Sequence, residues 1–386
     1  MQRRAFLQLA AGGVTLALAR PWGALAAAAG HYDRLLILIE LKGGNDGLNT
    51  VVPYADSAYY ELRPRLAIPR DQVLQLDARA GLHPSLQPLM ALWGNRELAI
   101  VQSVGYPSAN LSHFRSIEIW DTASKSSEYL SDGWLTRAFA GAPVPQSFAA
   151  DGVIVGSNEM GPFAGGGTRA LALTNTDQFM RQAKLAAPEG SSRNPALNHI
   201  LKVEQDVAQA AANLAPNYTL RTEFPQHAFG NALKTVAQVV ASKAGVAAVK
   251  VSHTGFDTHS GQLGTQQRLL KELAEGLVAL RAALQEAGRW DAALIMTYCE
   301  FGRRPHENQS GGTDHGTANA HFVLGGRVRG GLYGLPPALT RLDGNGNLPF
   351  AVDFRDLYAT ALDQWWGIDS SVALNGRFRP VDVLKA

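Results

Sequence analysis

The residues of this 386-residue chain whose types suit chemistry gather in a few short polar segments. In Phe256-Asp257-Thr258-His259 a carboxylate and an imidazole stand two apart. In an extended segment those side chains project to the same side, so both reach one cation. Gly312-Thr313-Asp314-His315-Gly316 sets a second such pair side by side in a glycine-flanked turn. There the two side chains diverge, which suits two neighbouring ions. His321 follows six residues later, at the start of an apolar run. Asp46, in the turn Gly43-Gly44-Asn45-Asp46-Gly47, completes a set of three carboxylates and three imidazoles. Zn²⁺ or Mn²⁺ accepts that set. Two ions about 4 Å apart would clamp both oxygens of an in-line displacement at phosphorus or sulfur.

Each segment also has a plain structural reading. Asp46 is a natural turn former, and Asp314-His315 reads as a turn aspartate beside a surface histidine. His321 reads as a satisfied core or edge histidine. What favours chemistry is their common position. Continuous apolar runs at Leu35–Ile39, Leu98–Val101, Val153–Val155, Ala247–Val251, Ala293–Thr297 and His321–Leu324 have the pattern of strands buried on both faces. Asp46, the Ser112-His113 segment, Asp257-His259, and Glu300 with Asp314-His315 each follow one of these runs. Loops at the carboxyl ends of strands are where open α/β sheets carry their sites.

Helical patterns lie between the runs. Leu269, Leu270, Leu273, Leu277, Leu280 and Leu284 form one stripe opposite charged residues. Ala196 to Ala212, Phe229 to Lys243 and Phe354 to Trp366 are weaker helical patterns, the last with Asp353 as N-cap. Pro84 to Trp93 is a further helix. The alternation predicts an α/β fold, a mostly parallel sheet with helices on both faces, as one domain over residues 30–386.

Composition narrows the function. Lys+Arg 35 against Asp+Glu 33, with no basic block in the mature region, excludes a phosphate-tracking surface, so no nucleic-acid partner is expected. A single cysteine, Cys299, excludes an internal disulfide framework and a thiolate metal cluster. Residues 1–29 read as an export signal. Arg3-Arg4 precede Phe6-Leu7, a short weakly apolar stretch interrupted by Gly12-Gly13 follows, and Ala24 to Ala29 offer small-residue cleavage points. The pattern resembles a twin-arginine signal, with the twin-arginine translocase as export partner; the alternative is an ordinary secretory signal with two chance arginines. The apolar stretch is too short for a membrane anchor. A periplasmic or secreted protein is expected.

Five segments occur in order: Gly43 to Pro53, Asn110-Leu111-Ser112-His113-Phe114, Phe256 to His259, Glu300-Phe301-Gly302-Arg303, and Gly312 to Gly316. Together they resemble an exported bacterial family known as domain of unknown function 1501. That family looks like a divergent branch of the alkaline phosphatase, sulfatase and phosphoglycerate mutase superfamily. The resemblance implies an alkaline-phosphatase-like fold. It implies Asp257, His259 and His321 at a first metal, with His253 in reserve, and Asp46, Asp314 and His315 at a second. The superfamily more often spaces its first Asp and His four apart, so Asp-x-His departs from the pattern.

The same resemblance places a nucleophile after an early strand near a helix N-terminus, where Ser112 stands with His113 beside it. Helix dipole and metal there stabilise an alkoxide. Ser112 reads equally as the N-cap of a helix through Ile117 and Trp120. Glu300 and Arg303 are supporting or anion-binding residues, or a structural pair. Cys299 lacks the Cys-x-Pro-x-Arg context of a formylglycine sulfatase. Two functions follow: an exported metal-dependent hydrolase of phosphate or sulfate esters, small or polymeric, or a catalytically inactive binding or assembly protein on the same fold.

Overall fold

Every residue from Leu35 to Leu41 is buried, and a strand with both faces covered needs apolar matter on each side. In the computed structural model, which describes residues 30–173, 219–242 and 244–385, it has that matter. The export segment 1–29 and the expected helix at 196–212 lie outside the described residues. Strands β1 (Leu35–Lys42), β2 (Leu98–Gly105), β3 (Ala150–Val155), β4 (Ala170–Leu173), β5 (Val246–Thr254), β6 (Ala293–Tyr298), β7 (Asn319–Leu324) and β8 (Gly331–Gly334) form one sheet in the order β8-β2-β7-β6-β1-β5-β3-β4. The two-residue β9 (Val352–Asp353) pairs with β2.

All pairings in this sheet are parallel except those of β7, which runs against β2 and β6. The α/β class and the mostly parallel sheet read from the sequence are therefore found. The six expected strands appear with extended ends; β4 and β8, four residues each, are too short to stand out as apolar runs.

The helices are α1 (His113–Thr122), α2 (Trp134–Gly141), α3 (Ala228–Ala241), α4 (Gln262–Glu286) and α5 (Phe354–Ala359). Alternate residues of β1 enter two cores. Leu35, Ile37 and Ile39 pack with α3 and α4, while Leu36 and Leu38 pack with α1, α2 and α5. All six leucines of the α4 stripe are buried. A Cβ on Gly276 of α4 would lie 2.8 Å from a Leu233 methyl, so glycine there lets α4 close on α3. Asp353 caps α5 by accepting from the Arg355 N–H, and the chain then continues as a π-helical segment over Thr360–Trp366. The expected helix at Pro84 is a 3₁₀ segment, Pro84–Leu89, followed by a short α-helix, Met90–Gly94. Pro88 removes the N–H that a continuous α-helix would use.

Strands β6, β1 and β5 are neighbours, so the loops at their carboxyl ends meet. The N-terminus of α1 joins them, as does a hairpin in which Arg303–Glu307 pairs with Thr313–His315.

Candidate metal centre

Four of the residues singled out by the sequence converge at this end of the sheet: His113, Asp257, His259 and His315. Single ligand atoms from His113, Asp257 and His315 all lie within 4.8 Å of one another. His113 Nε2 is 3.4 Å from Asp257 Oδ2, and His315 Nε2 is 3.4 Å from Asp257 Oδ1. His259 Nε2 sits 2.9 Å from His315 Nε2 and 3.2 Å from Asp257 Oδ1.

The outward nitrogens explain the orientation. His113 Nδ1 is 2.8 Å from Glu300 Oε1, and His315 Nδ1 is 2.8 Å from the Leu111 carbonyl oxygen. Both partners are acceptors, so a neutral ring keeps its proton on Nδ1 and turns a lone pair inward at Nε2. His259 Nδ1 faces Asp314 Oδ1 at 3.5 Å in the same sense. Three imidazole lone pairs and a carboxylate thus point at one another, and His113 Nε2 is buried without a hydrogen-bond partner. A proton between two of these atoms satisfies one pair; a divalent ion would satisfy His113, Asp257 and His315 together. Imidazoles held through their far nitrogen by carboxylates or carbonyls are the usual surroundings of a metal ion. The residues present fit one.

Around this ring stands a fixed frame. Glu300 is buried and also accepts the Gly43 N–H at 2.9 Å. A Cβ on Gly43, whose φ is +117°, would fall 2.4 Å from the Asp257 nitrogen, so only glycine allows the turn after β1 to press against the Asp257 loop. Buried Arg303 donates to Asp257 Oδ1 at 2.7 Å and to the Gly44 and Thr313 carbonyls. The Phe301 ring backs both His113 and His315. Asn308 donates to Asp314 at 3.2 Å and to the His259 carbonyl at 2.9 Å. Asp257 is 48% exposed and His259 45%, so the ring opens to solvent on their side. It adjoins a cleft of about 720 Å³ bordered by Lys42, Phe114, Asp121 and Glu159 as well as His113 and Asp257.

Electrostatics follow from these contacts. The Glu300 hydrogen bond raises the His113 pKa against the opposing effect of burial. Burial pushes the Asp257 carboxyl up, but the Arg303 hydrogen bond and charge outweigh it and hold the pKa low. Burial lowers that of His315. The Asn308 hydrogen bond lowers that of Asp314.

Other expected ligands stand elsewhere. Asp314 is in the outer layer, behind His259. Asp46 is the N-cap of a short helix, Gly47–Thr50, and its carboxylate is bound to Arg63 and Gln262. His321, on β7, lies in the core beside Trp120 with both ring nitrogens unpartnered, and burial lowers its pKa to about 3. It shares a strand face with Val323, which packs into the α1 core, and its ring nitrogens are not grouped with the ligand atoms of His113, Asp257 and His315. His253, the reserve, is buried against Phe229 with Nε2 3.0 Å from the Leu269 carbonyl oxygen. Ser112 is exposed at the N-cap position of α1, where its hydroxyl makes no capping bond. It stands between Leu111 and His113, both of which contact the ring.

Sequence reasoning gave His113 a catalytic place beside Ser112, whereas the structure places it among the ring nitrogens. Arg63 was missed altogether. It directly follows a short helix, Ser57–Leu62, as its C-cap, in a segment that carries no catalytic signal.

A family model described as "Protein of unknown function (DUF1501)" matches residues 67–378. No curated protein matches the chain. Among solved structures it is similar to an alkaline phosphatase superfamily protein from Vibrio parahaemolyticus, at 10% identity and TM-score 0.41, covering 98% of this chain and 78% of that one. It is similar to the PsFucS1 sulfatase from Pseudoalteromonas sp., at 10% identity and TM-score 0.41, covering 99% and 74%. A third is the zinc complex of the C-terminal periplasmic domain of EptC from Escherichia coli, at 12% identity and TM-score 0.37, covering 80% and 77%.

Proposed function

The chain belongs to the DUF1501 family, and we propose that it is an exported hydrolase that cleaves phosphate or sulfate esters with the help of a bound divalent ion. The observation that carries this reading is the ring itself. His113 and His315 turn Nε2 toward Asp257, each with its Nδ1 held by an acceptor outside the ring, and three protein ligands leave a fourth position open for water or substrate. Two imidazoles and a carboxylate favour zinc, with manganese as the harder alternative. Such an ion, when bound, polarises an ester oxygen and acidifies a water molecule.

The chain's own residues supply the rest. Glu300 and the Leu111 carbonyl hold two imidazoles in the ligand tautomer. Arg303 holds Asp257 Oδ1 and leaves Oδ2 turned toward His113. The cleft is of a size usual for small-molecule sites, about 300–1,000 Å³, and takes either a small ester or one unit of a polymer. Ser112, its hydroxyl not engaged in capping, is the side-chain nucleophile; a water molecule is the other. Residues 1–29 are read as the twin-arginine export signal, which puts the mature protein in the periplasm or outside the cell. No helix among the described residues is long and apolar enough to cross a membrane.

One observation favours the second reading, a binding or assembly protein without turnover. His259 is near enough to Asp257 and His315 to serve as a fourth ligand, and four protein ligands close a tetrahedral zinc site. The test is metal content of the exported, purified protein beside a His113→Ala, His315→Ala double variant. Metal in the parent that is lost in the folded variant, with turnover of an aryl phosphate or aryl sulfate, supports the hydrolase. Metal without turnover of any ester supports the binding protein. A parent that takes up neither Zn²⁺ nor Mn²⁺ overturns the hydrolase and leaves the binding or assembly protein.

A further inference from the structure

The ligands that the family resemblance implies for a second ion, Asp46, Asp314 and His315, are dispersed in this structure. His315 turns Nε2 to the ring around Asp257, and Asp314 stands behind His259. Asp46 is closed. Its Oδ1 accepts the Leu48 and Asn49 N–H groups at 3.1 and 3.4 Å, and its Oδ2 accepts Arg63 Nη1 at 2.5 Å and Gln262 Nε2. A flip of the Gln262 amide would set its Oε1 against the Asp46 carboxylate, so Nε2 stays there while Oε1 accepts the Thr258 and Thr313 hydroxyls at 3.1 and 2.7 Å.

Arg63 is as firmly held. It is fully buried, and three further donors go to Asn49 Oδ1 at 2.7 Å and to the Pro305 and Arg304 carbonyls at 2.8 and 3.0 Å. An ion at Asp46 would have to displace this guanidinium and leave a buried positive charge without its counter-charge, next to a new one. Among the described residues His113, Asp257 and His315 are the one group of three or more His, Cys, Asp or Glu side chains close enough to share an ion.

Resting on the metal reading above, we infer that the centre holds one divalent ion, and that the Arg63 guanidinium takes the place of a second cation beside Asp46. The two-ion clamp on an in-line displacement is then unavailable, and the charge at Asp46 is fixed by the polypeptide at every metal concentration.

The experiment loads the mature protein with excess Zn²⁺ or Mn²⁺, removes loose metal over a weak chelating resin and counts ions per chain by mass spectrometry. The parent, Asp46→Asn and a His113→Ala, His315→Ala double variant are compared. One ion in the parent, one in Asp46→Asn and none in the double variant is the expected result. Two ions in the parent, one of them lost in Asp46→Asn, overturns the inference while leaving the metal reading intact. No ion in the parent overturns the metal reading and the inference with it. Should Asp46→Asn not fold, the parent's count of one or two still decides.

Discussion

Asp46 and Asp257 both follow strands at the same end of the sheet, on β1 and on its neighbour β5, yet their carboxylates have opposite fates. Asp46 is 1% exposed, and both its oxygens are taken by N–H donors and a guanidinium. Asp257 is 48% exposed and faces three imidazole nitrogens, with one arginine contact on Oδ1. Residue type is the same in both places. What distinguishes them is whether the surroundings are donors, which close a carboxylate, or other lone pairs, which call for a cation.

The largest effect is expected at the closed site. Arg63→Ala leaves a buried carboxylate unpaired and should destabilise by about 3–5 kcal/mol, read from urea unfolding. A loss below about 1 kcal/mol would mean that Asp46 does not depend on Arg63, and the contrast would fail.

The histidines offer the same contrast in their response to pH. His321 has a folded pKa of about 3 through burial, against about 6.5 unfolded. Its contribution is complete above pH 6.5 and is lost as pH falls toward 3, because the unfolded chain binds the proton that the folded chain refuses. His321→Leu should therefore flatten the stability profile between pH 6 and 4, by up to about 1.4 kcal/mol per pH unit. An unchanged slope would place His321 in a wetter setting than the core beside Trp120.

Glu300→Gln sharpens the open site. It keeps the shape but weakens the hold on the His113 tautomer, and a competitive chelator titration should show zinc affinity lower by about 10–100-fold. Equal affinity would remove Glu300 from the centre. The smallest effect is Ser112→Ala on stability. A capping serine is worth about 1 kcal/mol, but this hydroxyl makes no capping bond, so a change of only a few tenths is expected. A full loss would return Ser112 to the role of cap, and turnover unaffected by the same change would exclude it as nucleophile.

Much of the fold was legible because it is local. The apolar runs at Leu35, Leu98, Val153, Ala247 and Ala293 name strands that water cannot reach, and the leucine stripe of α4 names its buried face. Asp257 and His259 are also local, two apart at a strand end. Tertiary structure decided the rest. Glu300 meets His113 across 187 residues, Arg303 meets Asp257 across 46, and Leu111 meets His315 across 204. Contacts at such separations leave no periodicity in the chain. Arg63 is the sharpest instance: it determines whether Asp46 can take an ion, and only folding brings it within 2.5 Å. A sequence can display which side chains are able to bind a metal. Whether their lone pairs are free depends on donors that arrive from elsewhere in the fold.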